Sequence, residues 1–219
     1  RFWEIDFFRG LAVVLMVLFN YSFALFYFGI YTISSSQFFW FWFPRIVAGM
    51  FIFIAGISFA VSHSKRKGRN SEVYKKYLTR GGKLFGLGLL ITATTYIFAP
   101  QGTIFFGILH FIGIATILLL FFRNLGAANL LFGIIFILTG IYLQYFAVSY
   151  PWLLWLGLAP ENFYTFDYFP IFPWLGLMLI GVFTGNKLYA NGKRKFRMPK
   201  EQKAAKLLVL IGRHSLLLY

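Results

Sequence analysis

Glu4-Ile5-Asp6-Phe7-Phe8-Arg9-Gly10 runs without a break into Leu11 to Phe28, LAVVLMVLFNYSFALFYF. An uncharged run of that length predicts a membrane-spanning helix. At about 100° per residue, Asn20 falls about 20° from Arg9 and about 40° from Asp6 around the helix. Asp6, Arg9, Gly10 and Asn20 therefore form one polar stripe. Lipid disfavours such a stripe, so it is expected to face protein, water or ligand. The alternatives are an Asp6–Arg9 pair with buried hydrogen bonds, or a site.

Composition extends the reading to the whole chain. Charged residues make up 12% of the 219, about half of what a soluble domain carries. In lipid, backbone polar groups must be satisfied internally, which allows helices or closed barrels. The apolar runs are continuous rather than alternating, so they read as helices. The expectation is an all-α, polytopic helical membrane protein, one domain over residues 1–219. There is no Cys, which excludes disulfides, thiolate nucleophiles and Cys-ligated metals; no metal site is expected. The polar start Arg1–Arg9 enters a full-length span and does not resemble a cleavable signal peptide.

Six full spans and a seventh, truncated one follow from the runs. They are Phe8–Phe28, Phe38–Ser62, Leu84–Ala99, Thr103–Phe122, Ala127–Ala147 and Pro173–Leu188, then Leu207–Tyr219, whose 13 residues are too few to cross. Pro44 is tolerated if it lies in the first turn of its helix. The net charge of +15 collects in two loops, which points away from nucleic acid. Residues 63–83 hold eight Lys/Arg and one acid, and residues 189–206 hold seven Lys/Arg and one acid. Both loops, with Arg1, Arg9 and Arg123, fall on one side of the membrane. The links at 29–37, 100–102 and 148–172 contain no Lys or Arg. The positive-inside rule makes the N-terminus and the basic loops cytoplasmic, in a multi-pass protein of the cell membrane. Val73, Tyr74, Tyr77 and Leu78 suggest an amphipathic surface helix within the first basic loop.

Several side chains could carry chemistry. Arg9 could hold a phosphate or snorkel to lipid headgroups. Arg45 shares a helix face with Gly49 and Gly56, where it would need a carboxylate, phosphate or water-filled cavity. His110 lies roughly 10 Å inside its span and could act as a base or serve as a hydrogen-bonded packing residue. Arg213-His214 could bind an anion or anchor a helix end. Asp167, with Glu161 nearby, lies in an outer stretch holding five aromatics between Phe163 and Phe169. Carboxylates and aromatic platforms suit a sugar; interfacial aromatics are the other reading. Asp6, Arg9 and Asn20 could also line the pathway of a small-molecule transporter or channel, and a non-catalytic scaffold is a third reading.

Glu4 to Ala12 with Asn20-Tyr21, Phe51 to Gly56, Gly107 to Gly113, Phe166-Asp167, Phe172 to Gly176 and Ile211 to Tyr219 together resemble the heparan-α-glucosaminide N-acetyltransferase-like family of transmembrane acyltransferases. The resemblance implies an acyl-CoA, acetyl-CoA first, bound from the cytoplasm, and transfer to an acceptor, often a sugar, at the other face. Asp6, Arg9, Arg213 and His214 would then belong to the cofactor end. His110, Asp167, Asn20 and Arg45 would belong to the chemistry. The family's lysosomal enzyme is thought to use a histidine after its first span, and residues 29–43 contain none. That role would pass to His110, or to Asp167 as base for direct transfer, or this member does something else. The heparan substrate does not carry over. The partners implied are acyl-CoA, a sugar or amine acceptor and the lipid bilayer; a homo-oligomer is left open.

Overall fold

The computed structural model describes residues 2–30, 37–64, 70–189, 193–197 and 205–215. Among these the protein is all-helical, with α1 (Trp3–Tyr27), α2 (Gln37–Ser64), α3 (Asn70–Phe98), α4 (Ile108–Phe122), α5 (Ala128–Leu143), α6 (Ile171–Leu188) and α7 (Lys206–Arg213). Short 3₁₀ turns occupy Pro100–Gly102 and Pro151–Leu156. α1, α2, α3 and α6 are long and apolar enough to cross a membrane. α4 and α5 are apolar but have only 15 and 16 residues, about 23 Å of rise against a hydrocarbon core of about 30 Å. The link Ser34-Ser35-Ser36, parts of both basic loops (65–69, 190–192 and 198–204) and the end of the last run (216–219) lie outside the described residues.

Several boundaries differ from the sequence reading. α1 begins at Trp3, so Glu4 and Asp6 are inside the helix, each 3% exposed. It ends in a Schellman-type cap. Gly29, at φ +68°, lets the Gly29 amide reach the Phe26 carbonyl and the Ile30 amide reach Leu25, the left-handed turn that glycine adopts most readily. The surface helix expected around Val73 and Tyr77 does not exist as a separate element. Those residues form the first turns of α3, and both are buried. Apolar contact with α2, where the Tyr77 ring meets Phe59 at 4.8 Å, holds this charged stretch in the long helix. The fourth helix begins at Ile108, not Thr103. Residues 103–107 precede it as an irregular segment that pairs with residues 165–169 through a Phe106–Tyr168 bridge and a hydrogen bond from the Thr165 hydroxyl to the Thr103 carbonyl. Pro44 lies inside α2, beyond its first turn.

Helix contacts in lipid rely on close packing rather than on hydrophobic exclusion, so small residues mark the seams. α6 packs against both α2 and α5. A Cβ on Gly56 of α2 would lie 2.1 Å from the Met178 carbonyl oxygen, and one on Gly181 of α6 would lie 2.3 Å from that of Phe53. Gly133 and Gly176 make the same kind of approach between α5 and α6, and Gly81 and Gly113 between α3 and α4. α7 packs on α1. There Gly10 and Gly212 bring the two backbones together: a Cβ on Gly10 would meet the Leu208 carbonyl at 1.9 Å, and one on Gly212 the Asp6 carbonyl at 1.8 Å. Ile52, Phe111, Leu119, Leu175, Leu179 and Val182 fill the centre. Leu18, Leu89, Leu90, Leu131 and Leu138 are exposed, as suits a surface facing hydrocarbon.

Candidate functional site

The α1–α7 seam sets two buried carboxylates and their cations at one end of the helices. Glu4 accepts a hydrogen bond from the Tyr189 hydroxyl (3.0 Å) and a charged one from Arg194 Nη2 (2.6 Å). Burial, then the charge of Glu4 and the hydrogen bond to it, push the Tyr189 phenol well above its usual range. Asp6 Oδ1 accepts from Arg9 Nη1 at 3.1 Å, and Arg213 Nε lies 3.8 Å from Oδ2. Arg9 also donates to Ser58 Oγ of α2 at 2.5 Å and to the Gly212 carbonyl at 3.5 Å. Ser58 in turn donates to Ile54 O at 2.8 Å. Asp6 thus holds two guanidinium groups from different helices on one carboxylate.

Both arginines border a cavity of about 630 Å³, within the ordinary range for small-molecule sites. At its mouth stand Arg9, Lys76, Arg80, Arg213, His214, Ser58 and Ser62, with Asp6. Four Lys/Arg face one carboxylate there. Lys76 Nζ is fixed by Ser62 Oγ at 3.3 Å. Deeper, the lining changes to Phe51, Ala55, Leu84, Ile112, Leu119 and Met178, and reaches Leu109 in the first turn of α4. Leu119 to Leu109 is ten residues of one helix, about 15 Å. The cavity is therefore amphipathic along its length: cationic at the end near α7, apolar toward the start of α4.

All four residues assigned from sequence to the cofactor end, Asp6, Arg9, Arg213 and His214, meet at this mouth. The four assigned to chemistry do not. Asn20 is exposed, so the stripe running from Asp6 does not continue as a buried face. The stripe packs on α7 at Asp6 and Gly10, whereas Asn20, ten residues further along α1, shares its exposure with Val17, Leu18 and Tyr21. Arg45 is also exposed rather than on the packing face of Gly49 and Gly56. Its guanidinium folds back to donate to the Phe41 carbonyl (2.7 Å) and lies 3.6 Å from the Phe41 ring centre.

His110 and Asp167 lie together at the other end, around the N-terminus of α4. His110 is 2% exposed. Its Nδ1 accepts from the Gly107 amide at 3.3 Å, which assigns the proton to Nε2, 3.3 Å from Thr92 Oγ1. The Thr92 hydroxyl donates in turn to the Ile104 carbonyl at 2.6 Å. Gly88 leaves room for the ring, and Phe85 and Phe106 flank it. Asp167 Oδ2 accepts from the Ile108 amide at 2.8 Å. Together they satisfy two of the backbone donors left open at a helix start. Burial pushes the Asp167 carboxyl up to about 6 while the Ile108 amide pulls the other way. Oδ1 accepts no hydrogen bond among the described residues. Neither side chain lines the cavity, although Leu109, the residue between Ile108 and His110, does.

Sequence reasoning missed Ser58, Lys76 and Arg80. Lys76, Arg80 and Leu84 recur every four residues, a helical stripe hidden by starting the third span at Leu84, where α3 begins at Asn70. Among the described residues no three His, Asp or Glu side chains gather as metal ligands.

Apolar helices long enough to cross a membrane, lining a cavity with cationic side chains near α7, define a membrane protein. The sequence matches the family model described as heparan-alpha-glucosaminide N-acetyltransferase, catalytic, over residues 1–219, and the chain belongs to that family of transmembrane acetyltransferases. No curated protein and no solved structure matches it significantly.

Proposed function

We propose that the protein takes an acetyl group from cytoplasmic acetyl-CoA, or the acyl group of a related acyl-CoA, and passes it to a sugar or amine acceptor at the opposite membrane face. The cavity carries this reading: a cluster of four Lys/Arg leads into an apolar shaft that ends at the first turn of α4. Arg9, Lys76, Arg80, Arg213 and His214 would hold the phosphates of the donor. The pantetheine arm would follow the shaft and carry the thioester toward Leu109. Loop charge supports the mouth as the cytoplasmic end.

The acceptor would meet Asp167 beyond that turn. With its carboxyl raised to about 6, Asp167 is mostly ionised at neutral pH yet basic enough to take a proton. The acceptor oxygen or nitrogen attacks the thioester carbonyl, its proton goes to Asp167, the C–S bond breaks and CoA leaves as the thiol after protonation. His110 has both ring nitrogens engaged in holding α4, so Asp167 is the better base in this arrangement and His110 positions the helix start. Asn20 and Arg45 have no part in this mechanism.

Asp167→Asn is expected to lower transfer from acetyl-CoA by about 10²–10⁴-fold with donor affinity unchanged. His110→Gln, whose amide oxygen can still accept from Gly107, is expected to keep most of the turnover. Transfer lost in His110→Gln and kept in Asp167→Asn would put the base at His110. Purified protein that neither binds nor hydrolyses acetyl-CoA would contradict the whole assignment.

The same carboxyl gives a pH signature. Its pKa is raised from 3.8 to about 6, so the folded state favours the protonated form. The stability this contributes is fully present below pH 4 and is lost as pH rises through about 6. Transfer shows the opposite trend, rising through the same range as the base ionises. Thermal-shift and rate profiles of wild type and Asp167→Asn check both: the variant is expected to lack each transition near pH 6.

A further inference from the structure

Thr116 lies in the apolar part of the cavity and has been given no role. It is 6% exposed and lines the shaft between Leu119 and Ile112. Thr94, Thr95 and Thr184 each donate to the carbonyl one turn back in their helices, the usual refuge of a hydroxyl in lipid. The Thr116 hydroxyl makes no hydrogen bond among the described residues, although Thr116 is a buried residue. Nor is it sealed: the unpartnered buried atoms include the hydroxyl of Tyr77, another lining residue, but not Thr116 Oγ1. Beyond the charged mouth, Thr116 is therefore the side chain that offers the cavity an accessible polar atom amid Phe51, Ala55, Leu84, Ile112 and Met178.

The Thr116 hydroxyl opens on the cavity without a partner among the described residues, so the occupant of the cavity is the group placed to supply one. We propose that Thr116 hydrogen-bonds an amide of the donor's arm, making it a positioning and specificity residue that selects an amide-bearing pantetheine over a plain hydrocarbon chain. This rests on the acyl-CoA reading of the cavity. Leu109 is seven residues nearer the start of α4, about 10 Å along the axis. An arm fixed at Thr116 therefore has the length of two helical turns in which to carry its thioester to the end of the shaft.

The test compares Thr116→Val, which keeps the shape and removes the hydroxyl, with Thr116→Ser, which restores it. Each is titrated in lipid nanodiscs with coenzyme A and with adenosine 3′,5′-bisphosphate, a phosphate-bearing fragment that lacks the arm. The expected result is about tenfold weaker coenzyme A binding for Thr116→Val, near-wild-type binding for Thr116→Ser, and unchanged binding of the fragment by both. Wild-type coenzyme A affinity in Thr116→Val overturns the inference and leaves the donor site standing. So does equal weakening of coenzyme A and fragment, which marks a packing defect. A wild-type protein that binds coenzyme A no better than the fragment removes the arm from the shaft. One that binds neither overturns the inference and the donor site together.

Discussion

Arg80→Ala combined with Arg213→Ala is expected to leave the fold intact and to weaken acetyl-CoA binding by at least about a hundredfold. Both residues are exposed at the cavity mouth, so their loss creates no buried void. Asp6 keeps its 3.1 Å bond to Arg9, which avoids leaving a buried carboxylate without a cation, a change that costs about 3–5 kcal/mol. Each charge-assisted contact to a phosphate contributes about 1.5–3 kcal/mol, and two such losses multiply to a factor of about 10² or more. The remaining affinity of the wild type should fall as salt is raised, since an open cationic mouth is screened. Calorimetric titration at two ionic strengths, beside a thermal melt, checks both parts. An unchanged dissociation constant in the double variant would remove the phosphates from this mouth.

Gly212→Ala is the second large effect, through structure rather than charge. The added Cβ would lie 1.8 Å from the Asp6 carbonyl oxygen and 2.9 Å from the Gly10 amide nitrogen. Both contacts are backbone, so no side chain can swing aside. α7 must move off α1, and Arg213 and His214 go with it. Overpacking costs about 1–3 kcal/mol where the surroundings yield, and here the seam itself must open. The expected outcome is a clear drop in melting temperature together with loss of donor binding. Gly86→Ala is the matched control. No atom lies within 4 Å of the Cβ it would add, and replacing glycine in a helix favours the helix by up to about 1 kcal/mol, so it should melt no lower than wild type. A Gly212→Ala protein as stable as wild type would mean that the α1–α7 seam does not hold the mouth together.

Much of this was legible in the residues because lipid makes polarity expensive. Asp6 and Arg9 at the start of an apolar run had to find partners, and Gly212-Arg213-His214 repeats the same economy at the other end of the chain. Their meeting across the Gly10–Gly212 seam depends on a contact more than 200 residues apart, which no local period reports. The helical class and most helix positions among the described residues were legible from apolar runs, but the start of α3 was not. Its first turns carry Lys75, Lys76 and Arg80, and a composition window reads them as a loop, whereas Val73 and Tyr77 on the same turns are buried. Cutting the helix there concealed Lys76 and Arg80 as part of the mouth. Asn20 and Arg45 were placed by helical angle alone. Angle says which residues share a face and not which face meets protein, and both side chains point away from the packed core. His110 illustrates the remaining ambiguity. A histidine three residues into a helix can be a base or a cap, and only the positions of Gly107 and Thr92 show it bonded as a cap.

In the proposed function the donor's arm occupies the cavity between Arg213 and Leu109. The sequence contains no Cys, so Ile112→Cys provides a single thiol on the shaft wall. Its alkylation by a small maleimide, followed with and without acetyl-CoA, tests occupancy directly. Protection that saturates with acetyl-CoA, and that disappears when Arg80 and Arg213 are also replaced, is the result the account requires. Alkylation at the same rate with and without saturating acetyl-CoA would contradict it.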